Sequence, residues 1–136
     1  MSPPPVETIV LSQQAKDQLI RLKRRTGIKQ WNVLCRWAFC LSLADPSPPP
    51  QVRHPADSSV EMTWKVFGGK YAAVYAAMLR ERCATAGLGS GDGAAALLRL
   101  HVHRGIAFLD AATPPQLCSL AMTLPVDSSG GAADRR

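Results

Sequence analysis

The sequence predicts a mainly α-helical single domain with a small β component. It reads as a ribbon–helix–helix-like N-terminal unit followed by a helical C-terminal half. Three observations predict this. A short alternating segment at 6–11 precedes two consecutive helical patterns. Proline and glycine clusters divide the rest of the chain into further helical stretches. The apolar share, 46 % of 136 residues, is too high for general disorder, and the length suits one domain.

Residues 1–5 are Pro-rich and expected to be loose, 6–124 form the domain, and the Ser/Gly/Ala/Asp/Arg tail 125–136 is expected to be disordered. Segment 6–11 alternates Val6, Thr8 and Val10 against Glu7, Ile9 and Leu11, a strand pattern. Ser12 is a natural N-cap, and a helix runs from there to Thr26, where Gly27 ends it. Ala15, Leu19, Leu22 and Thr26 form its narrow core stripe. After the turn 27–29 a second helix, starting at Gln30 or Asn32, reaches Ala44. It is apolar nearly all round, with Arg36 its only charge.

Such a helix needs burial on several sides, and in so short a chain a second subunit is the expected cover. In a ribbon–helix–helix unit, strands from two subunits pair, which also supplies the partner that a lone strand lacks. The alternative pairs 6–11 with 60–67 inside one chain. Segment 45–59, with Asp45-Pro46-Ser47-Pro48-Pro49-Pro50 at its head, is a stiff linker. Residues 60–67 alternate as a strand, and 70–86 and 94–111 read as helices joined by the Gly-rich 87–93. Residues 115–124 suit a short fifth helix. No internal repeat is present.

Charge locates the function. The chain carries 16 Lys+Arg against 10 Asp+Glu, net +6. Residues 1–44 hold seven basic and two acidic side chains, so nearly all of the excess sits in the first third. Lys16, Arg21, Lys23, Arg24, Arg25 and Lys29 face only Asp17 as a nearby acid. The helix C-terminus favours cations, which accounts for part of the run. Phosphate binding is the better reading of the whole. The strand offers only Glu7 and Thr8 as polar groups, so backbone binding is favoured over base reading. Asn32 either caps the second helix or leaves its amides toward a phosphate.

Other classes fall away. The longest apolar run, 71–79, is too short to span a membrane, and no signal-peptide core is visible. Cys35, Cys40, Cys83 and Cys118 form no C-x-x-C pair and read as small hydrophobes in a reduced, cytoplasmic protein. His101 and His103 lie on opposite sides of their helix and cannot share one metal. His101 reads as a core or interface histidine. The glycines of 87–93 miss the G-x-G-x-x-G spacing and follow a helix instead of a strand. No catalytic residue, cofactor or metal site is expected.

The stretch Leu19-Ile20-Arg21-Leu22-Lys23-Arg24-Arg25-Thr26-Gly27-Ile28, then Trp31-Asn32-Val33-Leu34-Cys35-Arg36, resembles the DndE family of bacterial DNA phosphorothioation systems. So does His101-Val102-His103-Arg104-Gly105-Ile106, and the likeness covers roughly 6–112. The resemblance implies a helical, homotetrameric accessory subunit that binds duplex DNA, nicked DNA above all. Its implied partners are a cysteine desulfurase, an iron–sulfur ATP-dependent protein and an ATPase, beside the nucleoid. The implied DNA surface is Lys16, Arg21, Lys23, Arg24, Arg25 and Lys29, to which the charge pattern adds Arg36. Thr26, Gly27 and Ile28 would lie near subunit contacts, with Trp31, Leu34 and Trp37 of the apolar helix alongside. A DNA-nicking nuclease using His101 or His103, and a ribbon–helix–helix repressor, are the competing readings.

Overall fold

Ser12 starts the first helix as its residue type requires. The computed structural model, which describes residues 4–88, 92–113, 115, 116 and 119, shows the Ser12 hydroxyl accepting from the Ala15 amide at 3.1 Å. Ahead of it lies β1 (Thr8–Val10), and after it α1 (Gln13–Thr26). Gly27, at φ 77°, closes α1 in the left-handed conformation, its amide returning to Lys23 O at 2.9 Å. Ala15, Leu19 and Leu22 are buried, and Thr26 is half-buried at the end of the same stripe.

The second helix, α2 (Trp31–Ala44), has the expected bounds, but its cover is different. A 20-residue helix, α5 (Asp92–Ala111), packs along it within the same chain. Leu98, Val102, Ile106 and Leu109 of α5 join Leu34, Cys35, Ala38 and Phe39 of α2 in one core. The two backbones meet where a side chain on Gly105 would overlap the backbone of Ala38. The apolar girth of α2 is therefore satisfied without a second subunit.

The strand partner is likewise internal. Strand β2 (Glu61–Thr63) pairs antiparallel with β1 in the register Thr8↔Thr63, Ile9↔Met62, Val10↔Glu61. The two-subunit ribbon is thus replaced by the intrachain pairing. Linker 45–59 returns the chain to this sheet, pinned by Ser58 and Val60 bonding Leu11.

The strand expected over 60–67 stops at Thr63. The Thr63 hydroxyl accepts from the Val66 amide and caps α3 (Trp64–Gly68). Trp64 and Phe67 are then three apart on one helical face and both buried, while Val66 is exposed. A 3₁₀ turn (Gly69–Tyr71) leads into α4 (Ala72–Thr85), so the helix expected from 70 begins two residues later. Phe39, Phe67 and Tyr75 meet edge-to-face at 5.7–6.3 Å between ring centres, joining α2, α3 and α4. The fifth helix expected over 115–124 lies mostly outside the described residues, of which 115, 116 and 119 are helical.

Gly105→Ala must force α2 and α5 apart and is expected to destabilise the protein by about 3 kcal/mol in urea unfolding. Gly93→Ala, whose added carbon meets only Leu88 at ordinary contact distance, should leave stability unchanged or raise it by less than about 1 kcal/mol.

Candidate nucleic-acid interface

Helix α1 divides its cations between two flanks. Toward α5, Arg21 grips the Asp110 carboxylate with two bonds, Nε to Oδ1 at 3.1 Å and Nη2 to Oδ2 at 2.9 Å. Arg25 reaches the same helix end and donates to the carbonyls of Leu109, Asp110 and Ala112 at 2.8–3.3 Å. These carbonyls stand at the C-terminal end of α5, where the helix dipole attracts a cation. Asp110 is held below the usual carboxylate range by its bond to Arg21 and by the charges of Arg21 and Arg25. This pair clamps α1 onto α5.

On the other flank Lys16 donates to Ser59 Oγ at 2.7 Å, and Lys23 lies 3.5 Å above the Trp31 ring. Partial burial lowers the Lys23 pKa. Arg24, between the flanks, and Lys29, in the turn, are exposed, with no hydrogen bond or ion pair among the described residues. Lys23, Arg24 and Lys29 therefore surround the α1–α2 turn without an acidic partner, and Lys16 extends the row along α1.

Four expected residues stand elsewhere. Arg36 is 4 % exposed and donates to Gly68 O at 3.4 Å, inside the α2–α3 junction and out of reach of a phosphate. Leu34 and Trp37 are buried in the core of this chain, so of the expected interface residues only Thr26, Gly27, Ile28 and Trp31 reach the surface. Asn32 is the second residue of α2 and donates to Val66 O at 3.1 Å; it ties α2 to α3 and does not cap.

The histidines are interior, and they face different elements. His101 Nδ1 is 2.8 Å from Ser42 Oγ, which also accepts from Arg104 Nε at 2.8 Å. His103 accepts from the Ser12 amide through Nε2 at 3.2 Å. Its Nδ1–H donates to Arg99 O at 2.7 Å, which sets the tautomer. Burial pushes both pKa values down to about 4, helped by Arg104 and Arg82 at His101 and by His54 and Arg99 at His103. Arg82, Arg99 and Arg104 all donate to main-chain carbonyls, of Leu43, of Val10 and His54, and of Ser42 and Ser47. Sequence reasoning missed this use of arginine, because the accepting carbonyls leave no trace in residue type. Cys35, Cys40 and Cys83 are buried free thiols, with burial raising Cys35 to about 12 and Cys40 to about 11; Cys118 lies outside the described residues. Among the described residues no three His, Cys, Asp or Glu side chains form a metal-holding group, and no helix is long and apolar enough to cross a membrane.

The fold and this surface define a small helical protein that holds a positively charged helix against a longer core helix. The chain belongs to the DndE family, the DNA sulphur modification protein DndE, whose sequence profile matches residues 8–114. Among solved structures it is similar to DndE from Escherichia coli B7A, a protein involved in DNA phosphorothioation modification. The TM-score is 0.60 at 24 % identity, covering 80 % of this chain and 98 % of that one. A DndE variant with glycines changed to lysine, also involved in DNA phosphorothioation, matches with TM-score 0.57 and 20 % identity, over 75 % and 96 % of the two chains. No curated protein matches the sequence.

The buried histidines set a pH dependence. Their folded pKa of about 4 lies below the ordinary 6.5, so the unfolded chain binds more protons between those values. Stability is therefore full above about pH 6.5 and is lost as pH falls toward about 4, by a few kcal/mol in all. Urea midpoints measured from pH 7.5 to 4 should trace this fall, and His103→Gln, which cannot charge, should flatten it.

Proposed function

We propose that this chain is a DNA-binding accessory subunit of a bacterial DNA phosphorothioation complex. It holds duplex DNA, nicked duplex included, through the cation row Lys16, Lys23, Arg24 and Lys29, with little sequence specificity. The observation that carries this reading is the split of α1. Arg21 and Arg25 meet the Asp110 carboxylate, while the row on the other flank makes no ion pair among the described residues. A cation row without counter-charges attracts a phosphate backbone and releases its counterions. Arg21 and Arg25 sit beside the row and add to its field.

Sequence tolerance follows from what is missing on the sheet. The polar side chains of β1 and β2 are Thr8, Glu61 and Thr63, with Glu7 just ahead of β1, and the two acids repel phosphate. The intrachain pairing of β1 also takes away the two-subunit ribbon on which the repressor reading rested. A non-enzymatic role is supported by the burial of His101 and His103, whose rings bond to Ser42, Ser12 and Arg99 instead of facing solvent. The sulfur chemistry then belongs to the partners, a cysteine desulfurase, an iron–sulfur ATP-dependent protein and an ATPase, in the cytoplasm at the nucleoid. The subunits assemble as a homotetramer through Thr26, Gly27, Ile28 and Trp31, which brings the rows of several chains to one surface.

In fluorescence anisotropy with a nicked duplex, Lys23→Ala/Arg24→Ala/Lys29→Ala should weaken binding and reduce the salt slope by roughly 2 to 3 per subunit. An unchanged slope would refute the assignment. Asp110→Asn frees two guanidiniums of their counter-charge and should tighten binding at low salt. Supercoiled plasmid incubated with Mg²⁺ or Mn²⁺ should remain intact. Open-circle product lost in His101→Ala or His103→Ala would favour the nuclease.

A further inference from the structure

A cavity of about 340 Å³ opens between α1, α5 and the linker segment around His54. Its walls are mainly apolar, with Val52 and Phe108 standing at it 56 % and 38 % exposed. Into this setting come polar groups that have no other work. The carboxamides of Gln14 and Gln18, one turn apart on α1, make no hydrogen bond among the described residues, and neither do the ring nitrogens of His54.

One wall is flat and rigid. The His54 ring stacks on His103 at 4.0 Å between centres with 14° between planes. His103 is fixed at both nitrogens, and the His54 backbone is fixed by Arg99 at 2.7 Å. An aromatic face beside apolar rim residues suits a planar ring. A carboxamide presents a donor and an acceptor side by side, the pattern that reads the edge of a nucleobase. Gln14, Gln18, Arg21 and Arg25 follow one another along a single flank of α1, and the guanidinium pair is centred about 10 Å from the glutamine pair by helical rise. Two guanidiniums share the one carboxylate of Asp110, so that end of the groove is net positive.

We infer that this cavity receives one unpaired nucleobase of a DNA strand, its ring against the imidazole stack and Phe108 and its edge on Gln14 and Gln18. The adjoining phosphates then run toward Arg21 and Arg25. The inference rests on the DNA-binding reading above and adds a place where the strand is held by a base. A base paired within an intact duplex cannot enter, so the cavity selects DNA at a disruption.

The test uses the full chain and three labelled duplexes of the same sequence: intact, with a one-base adenine bulge, and with the bulge abasic. The adenine bulge should bind about tenfold tighter than the abasic one, the scale of one base stacking on aromatic side chains. Gln14→Ala/Gln18→Ala should erase that ratio and leave intact-duplex affinity within twofold. Phe108→Ala should reduce the ratio as well, and unchanged urea midpoints show that both variants remain folded. Equal affinity for the two bulges overturns the base cavity while the cation row stands. Free deoxyadenosine monophosphate binding equally well through Gln14 and Gln18 overturns the strand as its source. Failure of all three duplexes to bind overturns the DNA reading together with the cavity.

Discussion

The close crossing of α2 and α5 is the constraint on which the rest of the structure depends. Gly105 presents no side chain, and the backbone of Ala38 occupies the space that one would need. That contact sets the depth at which two long helices pack, and so what each of their side chains meets. With α5 in place, His101 and Arg104 converge on Ser42, and His103 reaches the cap of α1. The C-terminal carbonyls of α5 arrive within reach of Arg25. The orientation of the cation row is therefore a consequence of helix packing two layers away.

Arginine is the side chain that transmits this order. Arg25, Arg82, Arg99 and Arg104 each tie one segment to main-chain carbonyls of another. A guanidinium makes several such bonds from one rigid plane, which a lysine ammonium on its flexible stem does not. A carbonyl carries no net charge, so these arginines keep theirs while acting as structural ties. The two roles are compatible: the core stays bound together, and the field at the surface remains positive.

Much of the N-terminal third was legible. Ser12, the Ala15/Leu19/Leu22 stripe and Gly27 carry the start, buried face and end of α1 in their own chemistry. The apolar girth of α2 was equally plain, and its bounds followed. What covers α2 was not legible, because a helix apolar all round asks for burial without naming the partner. The segment after Val60 misled for a local reason. Its alternation runs from a short strand straight into a capped helical turn, where Trp64 and Phe67 share a face by the helical spacing and Val66 is turned outward. Within the site, residue type located the cations. Which of them are engaged depended on Asp110 and on backbone carbonyls some eighty residues away in sequence.

The central claim is that the cation row Lys16, Lys23, Arg24 and Lys29 binds DNA. Its most direct test is lysine reactivity, read by mass spectrometry after brief acetylation with and without a nicked duplex. Lys16, Lys23 and Lys29 should become protected when DNA is present, and Lys70, in the turn before α4, should react as before. Protection of Lys70 with Lys23 and Lys29 left fully reactive would place the DNA on another face and contradict the account.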